Sequence, residues 1–154
     1  MRISGKASVS APCEAIWALI FNPGVLLQLV PGCDRVEQMA TDVYRASLTM
    51  HVPALAGKYE ILINIVESKA PRFCRLAGNA RGPSGSVQGT GSFTLVPQDK
   101  KTRIDYDSEV QISGPLAGMP PRFIEGVAQM LIKQGLARLA ELARDGEEQK
   151  KQSD

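Results

Sequence analysis

Three carboxylates recur at every second position in one stretch of the chain, and they are the first candidates for metal chemistry. Asp105, Asp107 and Glu109 alternate with residues such as Ile104 and Tyr106. Residues two apart share one face of a β-strand, so this spacing is also typical of a solvated strand face. The apolar residues between them favour the strand. The sequence therefore predicts no metal site here, and no cofactor is expected.

The single histidine is the next candidate for chemistry. Strand alternation places His51 with Ser47 and Thr49 on an outward face, whereas a catalytic base should line a pocket. No serine, histidine and aspartate arrangement of the nucleophile-elbow kind occurs. Gly89-Thr90-Gly91 does not open a helix, so it is not a phosphate-binding loop. These patterns predict no catalytic residue.

Three cysteines, Cys13, Cys33 and Cys74, lack the close pairing of a zinc site or a redox motif. They are expected to be reduced, partly buried thiols. Cys33 follows Pro31-Gly32 at a predicted helix end and is either a reactive thiol or a packing residue. Packing is favoured, because the sequence places no cation beside it.

Residues 120–144 form the longest periodic segment and predict an amphipathic helix that opens on two prolines and ends before Gly146. At 100° per residue the apolar stripe comprises Ile124, Val127, Ala128, Leu131, Leu139 and Leu142. Gly135 lies near the middle of this stripe, where glycine lowers helix propensity. Either another backbone approaches there or space is left.

The remaining segments predict an α+β protein. An alternating strand over residues 2–10 precedes two short helices, over residues 14–21 and 22–30, and then come about six antiparallel strands. A sheet of this size with one amphipathic helix must curl around the helix to bury both apolar surfaces. We therefore expect a helix-grip fold: a curved sheet of about seven strands wrapped around the long C-terminal helix. Residues 1–145 form the single domain, and residues 146–154 form a polar, disordered tail.

Composition limits the function classes. The chain has 154 residues, 44% hydrophobic content and a net charge of +2 with interspersed signs, which argues against a nucleic-acid partner. No apolar run has membrane-spanning length and no signal peptide is evident, so a cytoplasmic protein is expected.

The sheet and helix of such a fold enclose a cavity, and glycines at 89, 91 and 135 would remove side chains from its walls. A small-ligand pocket of roughly 300 to 1,000 Å³ is expected. Tyr59, Tyr106 and Gln134 are the polar candidates for orienting a carbonyl oxygen. The full set of predicted ligand-binding residues is Leu26, Val30, Leu48, Met50, Tyr59, Ile61, Ile63, Phe93, Tyr106, Phe123, Val127, Met130, Leu131 and Gln134.

Two loops, residues 52–57 and 114–120, are apolar where loops are usually polar. Either they pack on neighbouring structure, or they rim the cavity and dock on a membrane or an enzyme partner.

Several short motifs resemble one known family. They are Ala11-Pro12-Cys13-Glu14-Ala15-Ile16-Trp17, Asn22-Pro23, Val30-Pro31-Gly32-Cys33, Gly114-Pro115-Leu116-Ala117 and Phe123-Ile124-Glu125-Gly126. In this order they resemble the CoxG family of carbon monoxide dehydrogenase subunits, within the START-like, polyketide-cyclase-like superfamily, over about residues 1–144. The proline-glycine-cysteine element is the more specific of them.

The resemblance implies a non-enzymatic accessory protein of a molybdenum hydroxylase of the carbon monoxide dehydrogenase type. Members are thought to help recruit that enzyme to the inner face of the cell membrane and to carry a hydrophobic ligand such as a quinone or lipid. This chain ends in a polar stretch without an apolar anchor, so stable membrane binding by the chain alone is not expected. A cavity-based cyclase or hydratase and an assembly chaperone without ligand stay open as alternatives, as do the ligand, the partner enzyme and the oligomeric state.

Overall fold

The computed structural model describes residues 1–153, with side chains described through Lys150. Seven antiparallel strands form one sheet in the order β1-β7-β6-β5-β4-β3-β2. The predicted number of strands is confirmed, and only β1 joins the sheet beside a strand distant in sequence. The strands are β1 Arg2–Val9, β2 Cys33–Ala40, β3 Val43–Met50, β4 Gly57–Lys69, β5 Phe73–Gly82, β6 Gly85–Gln98 and β7 Lys101–Ser113.

Two short helices follow β1, as predicted: α1 Cys13–Ile20 and α2 Pro23–Leu29. The side chain of Asn22 caps α2 by accepting a hydrogen bond from the backbone N–H of Gly24 at 2.9 Å, and Pro23 occupies the first helical position. Short 3₁₀ turns at Pro53–Leu55 and Gly114–Gly118 lie within the two apolar loops.

The long helix α3 spans Pro121–Ser153. It therefore passes through Gly146, so the helix end predicted near Arg144 is wrong, whereas the disorder predicted for residues 146–154 stays a prediction. Glutamate, glutamine and lysine are good helix formers, and Lys150 lies 3.7 Å from Glu147 in an i,i+3 ion pair. These preferences outweigh the single glycine. Asp154, also assigned to the tail, lies outside the described residues.

The helix is packed on the sheet by two separate hydrophobic clusters. The first cluster lies where α1 and the later part of α3 meet the sheet, and its buried members are Val9, Ala11, Cys13, Ile16, Leu95, Ile104, Leu139 and Ala143. The second lies where the two apolar loops meet the start of α3, and its buried members are Leu48, Met50, Leu55, Tyr59, Leu116 and Ile124. No buried residue in the described part of the chain belongs to both, so the middle of the sheet is held less closely by the helix.

Gly135 marks the contact between α2 and α3. A Cβ atom at Gly135 would lie 3.0 Å from the carbonyl oxygen of Leu29, the last residue of α2. Of the two predicted alternatives, the close approach of another backbone is therefore correct, and that backbone belongs to α2. Arg138 reinforces the contact by donating a hydrogen bond to Gln28 Oε1 at 2.8 Å.

A pair of alanine substitutions tests this contact. Gly126→Ala places a methyl group on α3 with no atom within 4 Å, and it should stabilise the fold by up to about 1 kcal/mol through helix propensity. Gly135→Ala should lose that gain, because the methyl group presses on Leu29. Urea unfolding followed by circular dichroism measures both variants, and equal stabilisation would show that α2 yields freely.

Candidate functional site

An open apolar depression, called the cavity below, lies on the helix-facing side of the sheet between the two hydrophobic clusters, and all of its lining residues belong to strands β4 to β7. Its volume is about 200 Å³, below the predicted range. Side chains that face this space, such as Ile63, Leu76 and Val110, are only half-buried, although the alternation of their strands turns them inward. The lining residues are Ile61, Ile63, Leu76, Gly78, Asn79, Ala80, Val87, Gly89, Thr90, Gly91, Ser108 and Val110.

Glycines form the floor of this cavity, but they do so for different reasons. Gly78 lies directly opposite Gly89 in the β5–β6 register. A Cβ atom at Gly78 would press on the end of the Ile63 side chain, at 2.8 Å, and make an ordinary contact with the carbonyl oxygen of Leu62, at 3.4 Å, whereas one at Gly89 would collide with the carbonyl oxygen of Glu109. Gly78 therefore leaves space that a flexible side chain borders. Gly89 instead lets β7 approach closely. The sequence analysis had expected Gly89 to open the wall of the cavity by removing a side chain.

The polar side chains near the cavity already have partners within the protein. The hydroxyl of Tyr59 donates to the carbonyl oxygen of Leu55 at 2.9 Å, and that of Tyr106 donates to Gln129 Oε1 at 3.2 Å. The hydroxyl of Ser108 donates to the carbonyl oxygen of Ile3 at 3.0 Å. Both tyrosines predicted to orient a ligand oxygen thus donate their proton elsewhere.

The predicted ligand-binding residues divide into four groups. Ile61 and Ile63 line the cavity. Leu48, Met50 and Tyr59 are buried in the second hydrophobic cluster. Those that are half-buried are Leu26, Val30, Phe93, Tyr106, Val127 and Leu131. Gln134 is exposed, and Phe123 and Met130 are 37% and 40% exposed, because they lie on the outer flank of α3.

Sequence reasoning missed Leu76, Ala80, Val87 and Val110 as lining residues. The alternation of β5 could have revealed Leu76 and Ala80, since they share a face with Gly78. Three small residues on that face weaken its apolar signal. The cavity is therefore lined mainly by the sheet, whereas the prediction drew half of its residues from the helices.

A second space adjoins the cavity at Val110 and is called the portal below. It has a volume of about 380 Å³ and lies between β7, the Gly114–Gly118 turn and the start of α3. Gln111 borders this space, but its position opposite Gln88 in the β6–β7 register turns its side chain toward the other face of the sheet. The lining residues are Met1, Val110, Gln111, Ile112, Leu116, Ala117, Met119, Pro121 and Ile124.

A larger depression, about 480 Å³, lies on the opposite face of the sheet. Its side chains are mainly amides and hydroxyls, including Asn64, Asn79, Gln88 and Thr90. Their positions in the register turn them away from α3, and Asn64, Gln88 and Thr90 are exposed. Short polar side chains in the middle of a solvated sheet face account for this groove. Its lining is about as polar as it is apolar, whereas the lining of the cavity is almost entirely apolar.

The three alternating carboxylates form ion pairs. Asp105 lies 2.8 Å from Arg103, Asp107 lies 2.9 Å from Arg2, and Glu109 lies 3.5 Å from the ammonium group of Met1. The hydrogen bonds from these arginines lower the pKa of both aspartates. Among the described residues, no three of His, Cys, Asp and Glu gather as a metal site would require. The interpretation of this stretch as a solvated strand face is confirmed.

His51 is exposed just after the end of β3, as the alternation predicted. The cysteine thiols are free. Burial raises the pKa of the Cys33 thiol, which lies 3.6 Å from the carbonyl oxygen of Arg35, and it raises the pKa of Cys74 to about 11. A raised pKa disfavours the nucleophilic thiolate. Packing is therefore the better interpretation of Cys33.

The two apolar loops turn their leucines inward. Leu55 is 6% exposed and Leu116 is 5% exposed, and both belong to the second hydrophobic cluster. The backbone N–H of Leu116 donates to the carbonyl oxygen of Ser84 at 2.7 Å, which ties a third loop to the same end of the molecule. The two leucines therefore follow the packing alternative, while docking of the loops on a partner stays a prediction, and Ala54 and Ala117 remain exposed.

Comparisons with known proteins agree with this architecture. The sequence model of the CoxG family of carbon monoxide dehydrogenase subunits matches residues 5–143. No curated protein sequence matches significantly. Among the described residues, no helix has the length and apolar character needed to cross a membrane.

Solved structures share the fold at low sequence identity. A conserved protein from Geobacillus kaustophilus superposes with a TM-score of 0.90 at 26% identity, covering 94% of this chain and 96% of the other. A START superfamily protein from Mycobacterium smegmatis gives 0.73 at 13% identity, covering 94% and 97%. The Zhui aromatase/cyclase from Streptomyces sp. R1128 gives 0.70 at 12% identity, covering 94% and 93%. At such identities the last two likenesses concern the fold alone.

The raised thiol pKa values predict slow alkylation. With iodoacetamide at pH 7.5, the native protein should be labelled slowly at Cys33 and not at Cys74, and the rate at Cys33 should climb only as the pH rises above 9. Mass spectrometry of peptides measures each site, and protein unfolded in urea should label at all three cysteines. Rapid labelling of native Cys33 at neutral pH would restore the reactive interpretation.

Truncation of a buried loop leucine tests the second hydrophobic cluster. Leu116→Ala should lower the free energy of unfolding by about 2 to 5 kcal/mol, because it removes buried methyl groups and leaves a void. The neighbouring exposed residue gives a control, since Ala117→Ser should leave stability nearly unchanged. Urea unfolding compares the two, and a stable Leu116→Ala protein would show that the loop packs loosely.

Proposed function

This chain belongs to the CoxG family of carbon monoxide dehydrogenase subunits, and we propose that it is a non-enzymatic accessory protein that carries a hydrophobic small molecule. The proposed ligand is a quinone or lipid, and the proposed partner is a molybdenum hydroxylase of the carbon monoxide dehydrogenase type. The observation that carries this proposal is the apolar cavity between the two hydrophobic clusters. A folded protein gains stability by filling such space with side chains, so its retention favours a ligand.

The chemistry of the cavity favours binding over catalysis. An enzyme of the cyclase kind needs a group that moves a proton beside the substrate. The described residues that line the cavity include no carboxylate, histidine, cysteine, lysine or tyrosine. The shared fold with an aromatase/cyclase therefore carries no catalytic group into this cavity.

The proposed partner contact uses apolar surface that the fold leaves uncovered. Phe123 and Met130 on α3 and Leu27 on α2 are each between 37% and 40% exposed. Ala54 and Ala117 add exposed positions in the apolar loops. Exposed apolar groups of this kind suit docking to another protein of an enzyme complex or to the surface of a membrane. Peripheral association of this type, from the cytoplasmic side, completes the proposal.

Occupancy of the cavity provides the test. Protein purified from its own host is extracted with organic solvent, and mass spectrometry measures what it retained. Ala80→Phe should block the cavity, because Ala80 lies on its floor between Ile61 and Val87. Ala77→Phe introduces the same side chain on the opposite face of β5 and serves as the matched control.

The wild-type protein and Ala77→Phe should retain a stoichiometric quinone or lipid, and Ala80→Phe should lose most of it at a similar melting temperature. If Ala80→Phe fails to fold, Ala80→Leu supplies a smaller obstruction. A wild-type protein that carries no ligand, even after incubation with quinone-loaded liposomes, would contradict the carrier proposal.

A further inference from the structure

We propose that the free edge of β2 binds β2 of a second copy of this chain, antiparallel and centred on Val36. The two seven-stranded sheets then join into one continuous sheet about a two-fold axis perpendicular to it. This proposal concerns an interaction surface, and it stands independently of the proposed carrier function.

The two edge strands of the sheet, β1 and β2, differ in how they are covered. The long helix packs against β1, and the side-chain amide of Gln129 donates to the carbonyl oxygen of Ser4 at 3.3 Å. β2 pairs with β3 on one side and with no described strand on the other. Asp34, Arg35 and residues 38–40 of this strand are exposed. An uncovered edge presents unpaired backbone N–H and C=O groups, which are a template for another strand.

The part of β2 with regular geometry is short and has an irregularity at each end. Its register with β3 is continuous from Arg35 to Gln38, and it shifts between Cys33 and Arg35 and again between Gln38 and Ala40. Such bulges bend a strand and disrupt its ladder locally, so they limit how many residues a neighbouring strand can pair with. A partner strand must therefore centre on the middle of β2, which leaves few possible registers.

The charges on this part of β2 are complementary to a second copy of themselves. The side chains of Arg35 and Glu37 are 56% and 44% exposed, and their charged groups lie 3.1 Å apart. In an antiparallel pair with two-fold symmetry, one residue lies opposite its own copy. If that residue is Val36, each Arg35 lies opposite Glu37 of the other copy. If it is Arg35 or Glu37, like charges lie opposite each other, which is destabilising.

Protection of the edge is the alternative role for these charges. Protected edges typically carry lysines, whose like charges repel a second copy, or a proline that cannot donate to the ladder. β2 contains no lysine and no proline, and its charged residues Asp34, Arg35 and Glu37 alternate in sign. This pattern repels other strands less than a lysine-rich edge would, and it matches its own copy in one register.

The geometry of the pairing limits the assembly to two copies. It uses the free edge of β2 in both chains, and the edges left over are the two β1 strands, which the long helices pack against. The pairing also covers part of Met39, which is 51% exposed, and removes that apolar surface from water. Because the axis is perpendicular to the sheet, both long helices lie on the same side of the joined sheet.

The first experiment measures association by sedimentation velocity. Because one short strand per copy makes a small interface, the wild-type protein is followed up to about 1 mM, where it should form dimers. Arg35→Glu and Glu37→Arg should each weaken dimerisation at least about tenfold, since like charges then meet twice. Lys6→Glu changes the net charge as Arg35→Glu does, but on β1, and should leave dimerisation unchanged.

A mixture of the two variants distinguishes pairing in this register from a general effect of charge. The edge of Arg35→Glu carries only acidic groups and that of Glu37→Arg carries both a basic pair and Asp34, so the mixed dimer again pairs unlike charges at residues 35 and 37. The mixture should therefore associate at least as tightly as the wild-type protein. A wild-type protein that stays monomeric throughout the concentration range would overturn the proposal, as would a mixture that associates no better than its components.

The second experiment tests the register by disulfide formation between copies. In a Cys33→Ser background, Val36→Cys should give a covalent dimer under mild oxidation, because the axis brings its two Cα atoms within the roughly 7 Å that a disulfide can span. Gln38→Cys is the matched control on the same side of β2, since in this register its two copies lie about 13 Å apart along the strands. Cross-linking of Gln38→Cys without cross-linking of Val36→Cys, in proteins of equal melting temperature, would overturn the proposed pairing.

Discussion

The separation of the hydrophobic core into two clusters is the constraint on which the rest of the structure depends. The cluster around Ile16 and Leu139 and the cluster around Leu116 and Ile124 hold α3 to the sheet at two places. Because both clusters hold α3 to the sheet, the middle of the sheet can stay uncovered by the helix without loss of the fold. A cavity made in this way needs no strained backbone around it, because its walls are ordinary strands and its supports lie elsewhere.

Much of this architecture could be predicted from the sequence, since alternation and helical periodicity report directly on which face is buried. The strands around Ile61 and Tyr106 are such cases, and the cap at Asn22 was predicted from the asparagine-proline pair that begins a helix. The continuation of α3 past Gly146 was missed, because one glycine is typical of a helix end while the preferences of the following residues are spread over several positions. The direction of Leu55 and Leu116 was left open, since loops carry no period that would assign it.

The cavity itself was harder to predict than the fold. An inward-facing glycine can leave space, admit a neighbouring backbone or lie beneath an aromatic ring, and the chain contains all three cases in Gly78, Gly89 and Gly82. Only the three-dimensional neighbours distinguish them. The exposure of Phe123 and Met130 has the same origin, because an apolar residue at the border of a helical stripe can face either the sheet or solvent.

The absence of ionisable side chains from the described cavity lining has a consequence for how cargo would leave. A site whose described lining holds no ionisable side chain has no charge to gain or lose, so cellular changes in acidity offer no means of ejecting an occupant. Unloading of the proposed cargo would then depend on a competing apolar environment, such as a bilayer or a channel in another protein, brought against the portal. The direction of transfer would be set by whether a bilayer or a channel meets the loaded protein. The carrier itself would not determine that direction.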